Sequence, residues 1–344
     1  MMKLINKLAG QLQRHPKRIL FPDGMDHRVM QAARQFATKR LGAPILIGER
    51  QKIKETAFRL DISLDNIRLI NPLRSEELES FASQYYEARK NRGISEKESL
   101  SIVSKPNYFA SMMLANSQAD GLVFGAGTPA SEALPSLFRC IPMRESVETA
   151  SSVLVVDLEE KPEFGIDGSL FLSDCAVLPD PNAEQLADIA TTTASLAYHL
   201  TGKTPKVAML SYTTHSGKSS DPSVNKMAEA AKIASEKAKL LDFPIQIDGE
   251  IQADVALDKY AAKQKDVSGN VAGGANVLIF PNLHSSNIAA KMITILAGGD
   301  GYGQIMTGLS KPAAQVSRGA SAHDIYATAV IVGAQATDRQ LLMS

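Results

Sequence analysis

Short, continuous apolar runs recur along the chain between longer stretches of helical period. They fall at Arg18 to Phe21, Pro44 to Ile47, Gly121 to Phe124, Val153 to Val156, Val207 to Leu210 and Val277 to Phe280. A run of this length that does not alternate with polar residues suits a strand buried on both faces, so the six runs predict strands of parallel sheets. Between them, Glu184 to Leu200 brings Leu186, Ile189, Leu196 and Leu200 near one helical face, and Asn225 to Leu240 is similarly helical in composition. Strand and helix alternate, which predicts an α/β fold. Parallel α/β sheets bind ligands beyond the carboxyl ends of their strands, and the polar clusters of this sequence lie just after the apolar runs.

Composition narrows the picture. With 344 residues, 44% of them apolar, the chain exceeds one ordinary core and predicts two domains. No repeat, low-complexity tract or Gly/Ser linker marks where they part. Lys plus Arg and Asp plus Glu number 37 each, so no net field attracts nucleic acid or an anionic membrane, and any anion site must be local. Cys140 and Cys175 are the only cysteines, too few for a secreted disulfide framework and without metal-ligand spacing. The N-terminus lacks the apolar stretch of a signal peptide, and about 18 consecutive apolar residues occur nowhere. A cytoplasmic chain with no membrane span is the expectation. The six histidines show no spacing such as HExxH, so no catalytic metal is expected.

Three segments could carry chemistry. Ser211-Tyr-Thr-Thr-His-Ser-Gly-Lys218 follows one strand and precedes a helix, an arrangement that suits either an anion or a solvated helix cap. It is not a P-loop, because Tyr212 stands where the first glycine belongs. Gly125-Ala-Gly-Thr-Pro-Ala130 opens another helix, with Thr128 as the expected N-cap and Pro129 first in the helix. It mimics GxGxxA, but no acidic residue ends a second strand about 20 residues on, which argues against a dinucleotide site. Near the C-terminus, Gly301-Tyr-Gly-Gln304 and Gly308-Leu-Ser-Lys-Pro312 lead to Ser317-Arg-Gly-Ala-Ser-Ala-His-Asp324. Arginine, serine and carboxylate together could hold a tetrahedral anion while the carboxylate handles a proton. The plainer alternative is a capping box, Ser321 with Asp324 three residues on.

Separated segments, in order, resemble the phosphotransacetylases of the phosphate acetyl/butyryltransferase family. They are Phe21-Pro-Asp-Gly-Met-Asp-His-Arg28, Ser173-Asp-Cys-Ala176 with Asn182-Ala-Glu-Gln-Leu186, Met209-Leu-Ser-Tyr212 and Asp248-Gly-Glu-Ile-Gln-Ala-Asp254. Ala275-Asn-Val-Leu-Ile-Phe-Pro-Asn-Leu283 with Asn287 and Lys291 comes next, and the Gly301 to Asp324 segment is the most specific. The resemblance implies two three-layer αβα domains like those of isocitrate and isopropylmalate dehydrogenases, with the active cleft between them. Residues 1–152 plus 305–344 would form one and 153–304 the other. It implies a homodimer, coenzyme A and acetyl phosphate as substrates, and no tightly bound cofactor.

By the same resemblance, Asp324 is the base that deprotonates the coenzyme A thiol, Arg318 polarises the acyl phosphate and Ser317 hydrogen-bonds the reacting groups. Direct thiolate attack follows, without an acyl-enzyme. Arg89, Thr128, Ser211, Asn282, Asn287, Lys291, Tyr302, Gly303 and Lys311 are the expected substrate contacts. The family usually has an arginine in a Leu-Arg-Pro segment; here Leu134-Pro135-Ser136 stands there, and Arg139, one turn further, is the expected substitute. Lys105 and Ala320 are milder departures, from a usual aspartate and cysteine. Cys175 invites assignment as a nucleophile, yet no histidine lies within twenty residues to serve as its base. Other short-chain acyl specificities, butyryl above all, remain open. So does a non-catalytic relative that binds acetyl phosphate or coenzyme A.

Overall fold

The computed structural model describes residues 3–145 and 147–337. Its strands are β1 (Lys17–Phe21), β2 (Gly42–Ile47), β3 (Arg68–Ile70), β4 (Gly121–Phe124), β5 (Ser151–Asp157), β6 (Ser169–Ser173), β7 (Lys206–Leu210), β8 (Gln246–Ile251), β9 (Val277–Ile279), β10 (Asp300–Thr307) and β11 (Ala313–Gln315). Helices alternate with most of them, so the fold is α/β. The chain forms two compact units. Among the described residues, one holds 7–142 and 309–337, and the other is built mainly from 143–308.

In the first unit the strands lie in the order β3-β2-β1-β4-β11. Every pairing is parallel: Leu20 of β1 sits opposite Ile45 on one side and Leu122 on the other, and Val123 of β4 sits opposite Ala314 of β11. The apolar ends of these strands are buried, which is why they read as continuous runs. The chain passes from β1 outward to β2 and β3, then reappears on the other side as β4 and β11. The loops after β1 and β4 therefore leave in opposite directions and open a crevice at the strand ends.

In the second unit the order is β10-β5-β6-β9-β7-β8. Here the expectation of parallel sheets needs correcting: β5, the Val153 to Val156 run, is antiparallel to both β6 and β10, while the remaining pairs are parallel. A strand buried on both faces looks the same in sequence whichever way its neighbours run. Leu154, Val156, Leu172, Ala208, Ile251 and Leu278 meet in this unit's core. Helix Ala183–Thr201 forms where expected, opened by a capping box between Asn182 and Gln185 and closed by Gly202 in the left-handed region. Helix Pro222–Ala238 begins three residues before its expected start, with Asp221 accepting from the Ser223 amide.

Candidate active site

Three loops, which follow β1, β4 and β11, meet at the carboxyl end of the first unit's sheet. Each loop is fixed by hydrogen bonds made far along the sequence. The Asp23 carboxylate, just past β1, accepts from the Gly125 amide at 2.8 Å and from the Thr128 hydroxyl at 2.9 Å. Gly125 has φ +104°, and a Cβ there would fall 2.6 Å from the Val316 carbonyl oxygen. Only glycine lets the loop after β4 pass so close to the one after β11. Arg28, in the first turn of helix His27–Thr38, pairs with Asp26 and donates to the carbonyls of Ala126, Arg318 and Ala320. Burial pushes the Asp26 carboxyl up, but the Arg28 hydrogen bonds and charge outweigh it and hold the group below the usual carboxylate range.

Ser317, Arg318 and Asp324 all lie on the third of these loops or the helix it opens. Ser317 and Arg318 are exposed, and the Ser317 hydroxyl accepts from the Gly319 amide at 3.2 Å. Asp324 is half-buried in the first turn of helix Ala322–Gln335. It forms the capping box: the Ser321 hydroxyl accepts from the Asp324 amide at 3.1 Å, and Asp324 Oδ2 accepts from the Ser321 amide at 2.8 Å. The cap orients the carboxylate and leaves the chemical reading open, since it engages one oxygen of two.

Thr128 departs from the sequence expectation. Its hydroxyl is turned to Asp23 and accepts from Asn107, so Pro129 takes the N-cap of helix Ala130–Cys140 and Ala130 is the first helical residue. Pro135 sits inside that helix. One turn on, Arg139 donates to the Tyr108 hydroxyl at 2.8 Å, and Arg89 donates to the Arg139 carbonyl at 3.2 Å. The structure thus brings the two arginines together. They oppose the burial that pushes the Cys140 thiol up to about 12 without reversing it. Lys311 donates to the Ser117 hydroxyl at 2.9 Å.

The other candidates belong to the second unit. Asn282 caps helix Leu283–Leu296, accepting from the Ser285 amide at 3.0 Å; Asn287 donates to the Cys175 carbonyl at 3.2 Å, and Lys291 is exposed on the same helix. Two more of the expected substrate contacts lie in β10. Tyr302 is fully buried, with its hydroxyl on Asp300, and Gly303 supplies φ +107° at the register shift in β10, where a Cβ would fall 2.6 Å from the Ile305 nitrogen. Core packing and a bulge account for that pair.

The Ser211 amide donates to the Ile251 carbonyl and its hydroxyl faces that of Thr213, at the start of a loop that already holds an anion of its own chain. The Ser216 amide and hydroxyl and the Thr213 hydroxyl all donate to Glu250 Oε1, at 2.7, 2.8 and 3.3 Å. Burial pushes the Glu250 carboxyl up, but these bonds prevail and hold it below the usual range. Glu250 thus takes two of the hydroxyls of 211–218, while Thr214 donates to Gln252 and Tyr212 to Asp221, and Lys218 is exposed.

Cys175 is 1% exposed, and burial together with the Asp174 charge pushes its thiol up to about 12. A thiol so deeply buried and so hard to ionise suits a packing role and not that of a nucleophile. Among the described residues no three His, Cys, Asp or Glu side chains gather as a metal ligand set, and no helix is long and apolar enough to cross a membrane. Sequence reasoning gave no role to Asp23 or Arg28. The available signal was an acid-rich turn after β1 followed by an arginine at a helix start, where a cation opposes the helix dipole.

Three loops thus converge at the switch point of a parallel α/β unit, where folds of this class place their ligands, and one of them carries Ser317 and Arg318 and leads into the helix that holds Asp324. Residues 3–333 match the family model described as phosphate acetyl/butaryl transferase, and the chain belongs to that family. It is 37% identical over 325 residues to a phosphate acetyltransferase of Treponema pallidum, covering 94% of this chain and 96% of that one. The EutD phosphotransacetylase from Staphylococcus aureus superposes with a TM-score of 0.85 at 33% identity, over 97% of this chain and 98% of that one. A putative 4-hydroxythreonine-4-phosphate dehydrogenase from Salmonella typhimurium superposes with a TM-score of 0.50 at 11% identity, over 96% of this chain and 99% of that one, a likeness of fold alone.

Proposed function

We propose that this chain is an acyltransferase that interconverts acetyl-CoA and inorganic phosphate with coenzyme A and acetyl phosphate. The observation that carries the reading is the loop after β11, which exposes Ser317 and Arg318 and leads into the helix whose first turn holds the capped Asp324, in a chain similar over nearly its whole length to phosphate acetyltransferases. Asp324 takes the thiol proton and the sulfur attacks the acetyl carbonyl. Arg318 stabilises the charge gathering on the phosphorylated carbonyl, with Ser317 hydrogen-bonding to it, and phosphate leaves from the tetrahedral intermediate. Coenzyme A is a substrate here, and no tightly bound cofactor takes part. The test is acetyl-CoA breakdown by purified protein in the presence of phosphate or arsenate. Absence of phosphate-dependent turnover would reduce the chain to a binding relative, and faster turnover of butyryl-CoA would reassign its acyl group.

Arg89 and Arg139 form the phosphate-binding pair in this reading, with Arg139 standing in for the arginine displaced by Pro135. Their proximity and the orientation of Arg139 by Tyr108 support it. Arg139→Ala is expected to raise KM for a phosphorylated substrate about 10-fold, the worth of one charge-assisted hydrogen bond. Unchanged Michaelis constants for both acetyl phosphate and coenzyme A would dismiss the substitution.

The enzyme works in the cytoplasm, a reducing compartment suited to two free thiols. It works as a homodimer. Helix Leu283–Leu296 exposes Ile288, Met292, Ile295 and Leu296, between 54% and 77% accessible, at the i, i+4, i+7, i+8 spacing of one face. A second copy would cover that face, and light scattering should report twice the chain mass; a monomer would refute it.

A further inference from the structure

Arg28 stands where a cation is least expected. It lies in the first turn of helix His27–Thr38, at the positive end of the helix dipole, and is half-buried. A guanidinium has five N–H groups, and here five hydrogen bonds leave it. Nε and Nη2 form a fork on Asp26, at 3.1 and 2.7 Å. Nη1 donates to the carbonyls of Arg318 and Ala320 at 2.7 and 2.8 Å, and Nη2 also donates to the Ala126 carbonyl at 2.9 Å. Every donor is matched within the protein, so none remains for a substrate anion, and the Asp26 carboxylate already balances the charge.

What these bonds do follows from where they land. Two of the three carbonyls flank Gly319, in the loop that carries Ser317 and Arg318; the third belongs to the loop after β4. Ala126 and Ala320 are 3% and 8% exposed, so their carbonyls have little access to water and need a protein donor. Drawing the Arg318 carbonyl inward fixes that residue's peptide and leaves its exposed side chain to project outward. Asp23 ties the loops after β1 and β4 in the same way. We infer that Arg28, held by Asp26, is a positioning residue that sets the Ser317–Ala320 loop in its working conformation and never touches substrate. The inference rests on the reaction assigned above to that loop.

Lysine keeps the charge but offers three donors from a single atom, which cannot serve a carboxylate fork and three carbonyls together. Arg28→Lys is expected to lower kcat at least ~10-fold, as displacement of a reacting group by a fraction of an ångström does, while KM for coenzyme A stays within about 2-fold. Because Arg28 acts through the loop that carries Arg318, the two losses should not multiply. In an Arg318→Ala background, Arg28→Lys should change kcat less than about 2-fold. Equal losses in both backgrounds, or a normal kcat in the single variant, would overturn the inference.

Amide hydrogen exchange gives a readout independent of activity: residues 317–320 should exchange faster in Arg28→Lys, while strand β4 stays protected. Unchanged exchange in the loop counts against the clamp even if wild type proves inactive, an outcome that would instead defeat the assigned reaction. Should Arg28→Lys fail to fold, Asp26→Asn, which weakens the fork and spares the arginine, is carried through the same cycle: non-multiplying losses support the clamp, and equal losses in both backgrounds overturn it.

Discussion

Asp324→Asn is expected to lower turnover at least ~100-fold, the lower range for loss of a general base, with little change in either Michaelis constant. The substitution is clean for a structural reason. Asp324 Oδ2 accepts from the Ser321 amide, and an asparagine oxygen can accept the same bond, so the capping box and helix Ala322–Gln335 survive. What the amide cannot do is take a proton from sulfur. An ordinary thiol titrates near ~8.5 and an ordinary aspartate near ~3.9, so the transfer is uphill by roughly 6 kcal/mol. Catalysis must couple it to sulfur–carbon bond formation and to stabilisation of the thiolate by cations. Steady-state kinetics with acetyl phosphate and coenzyme A decide the matter, and near-normal turnover would remove Asp324 from the chemistry.

Arg318→Ala is expected to cost about 100- to 1000-fold in kcat, the range seen when a donor aimed at developing charge is lost. Its effect on stability should be small, because the side chain is exposed and Arg28 grips only its backbone. The melting temperature should therefore move by no more than a few degrees while activity collapses. Arg318→Lys should recover only part of the loss, since a single ammonium cannot offer a planar fork to a phosphoryl group. An Arg318→Ala enzyme that melts early and turns over normally at low temperature would show the residue to be structural.

The sequence disclosed the fold class and six strands through their unbroken apolar runs. Of the other five, β6 offers an apolar run of only three residues, Leu170 to Leu172, and four were hidden for identifiable reasons. β3 and β11 have three residues each, β8 reads Gln-Ile-Asp-Gly-Glu-Ile with polar positions throughout, and β10 is broken by two glycines. None of these gives a periodic signal. The antiparallel course of β5 depends on partners 12 to 20 and about 150 residues away, which no local pattern encodes. The serine, arginine and aspartate of the candidate site were legible because they lie within eight residues. Arg28 was not, since its acceptors stand 98, 290 and 292 positions off. The 211–218 loop stayed open between an anion site and a solvated cap for a related reason: donors that suit a bound phosphate equally suit Glu250, and composition cannot tell a resident carboxylate from a visiting ligand.

The placement of β11 bears on how the molecule comes into being. Residues from 309 onward complete a sheet whose other strands lie before residue 125, so a nascent chain must hold β4 with one unpaired edge while some 180 further residues are made. That interval exposes hydrogen-bonding groups that a neighbouring chain could capture, and the closing contact has high contact order. Synthesis and competence are thereby coupled: a ribosome halted anywhere short of β11 releases a polypeptide with neither a finished sheet nor the loop that would do the chemistry.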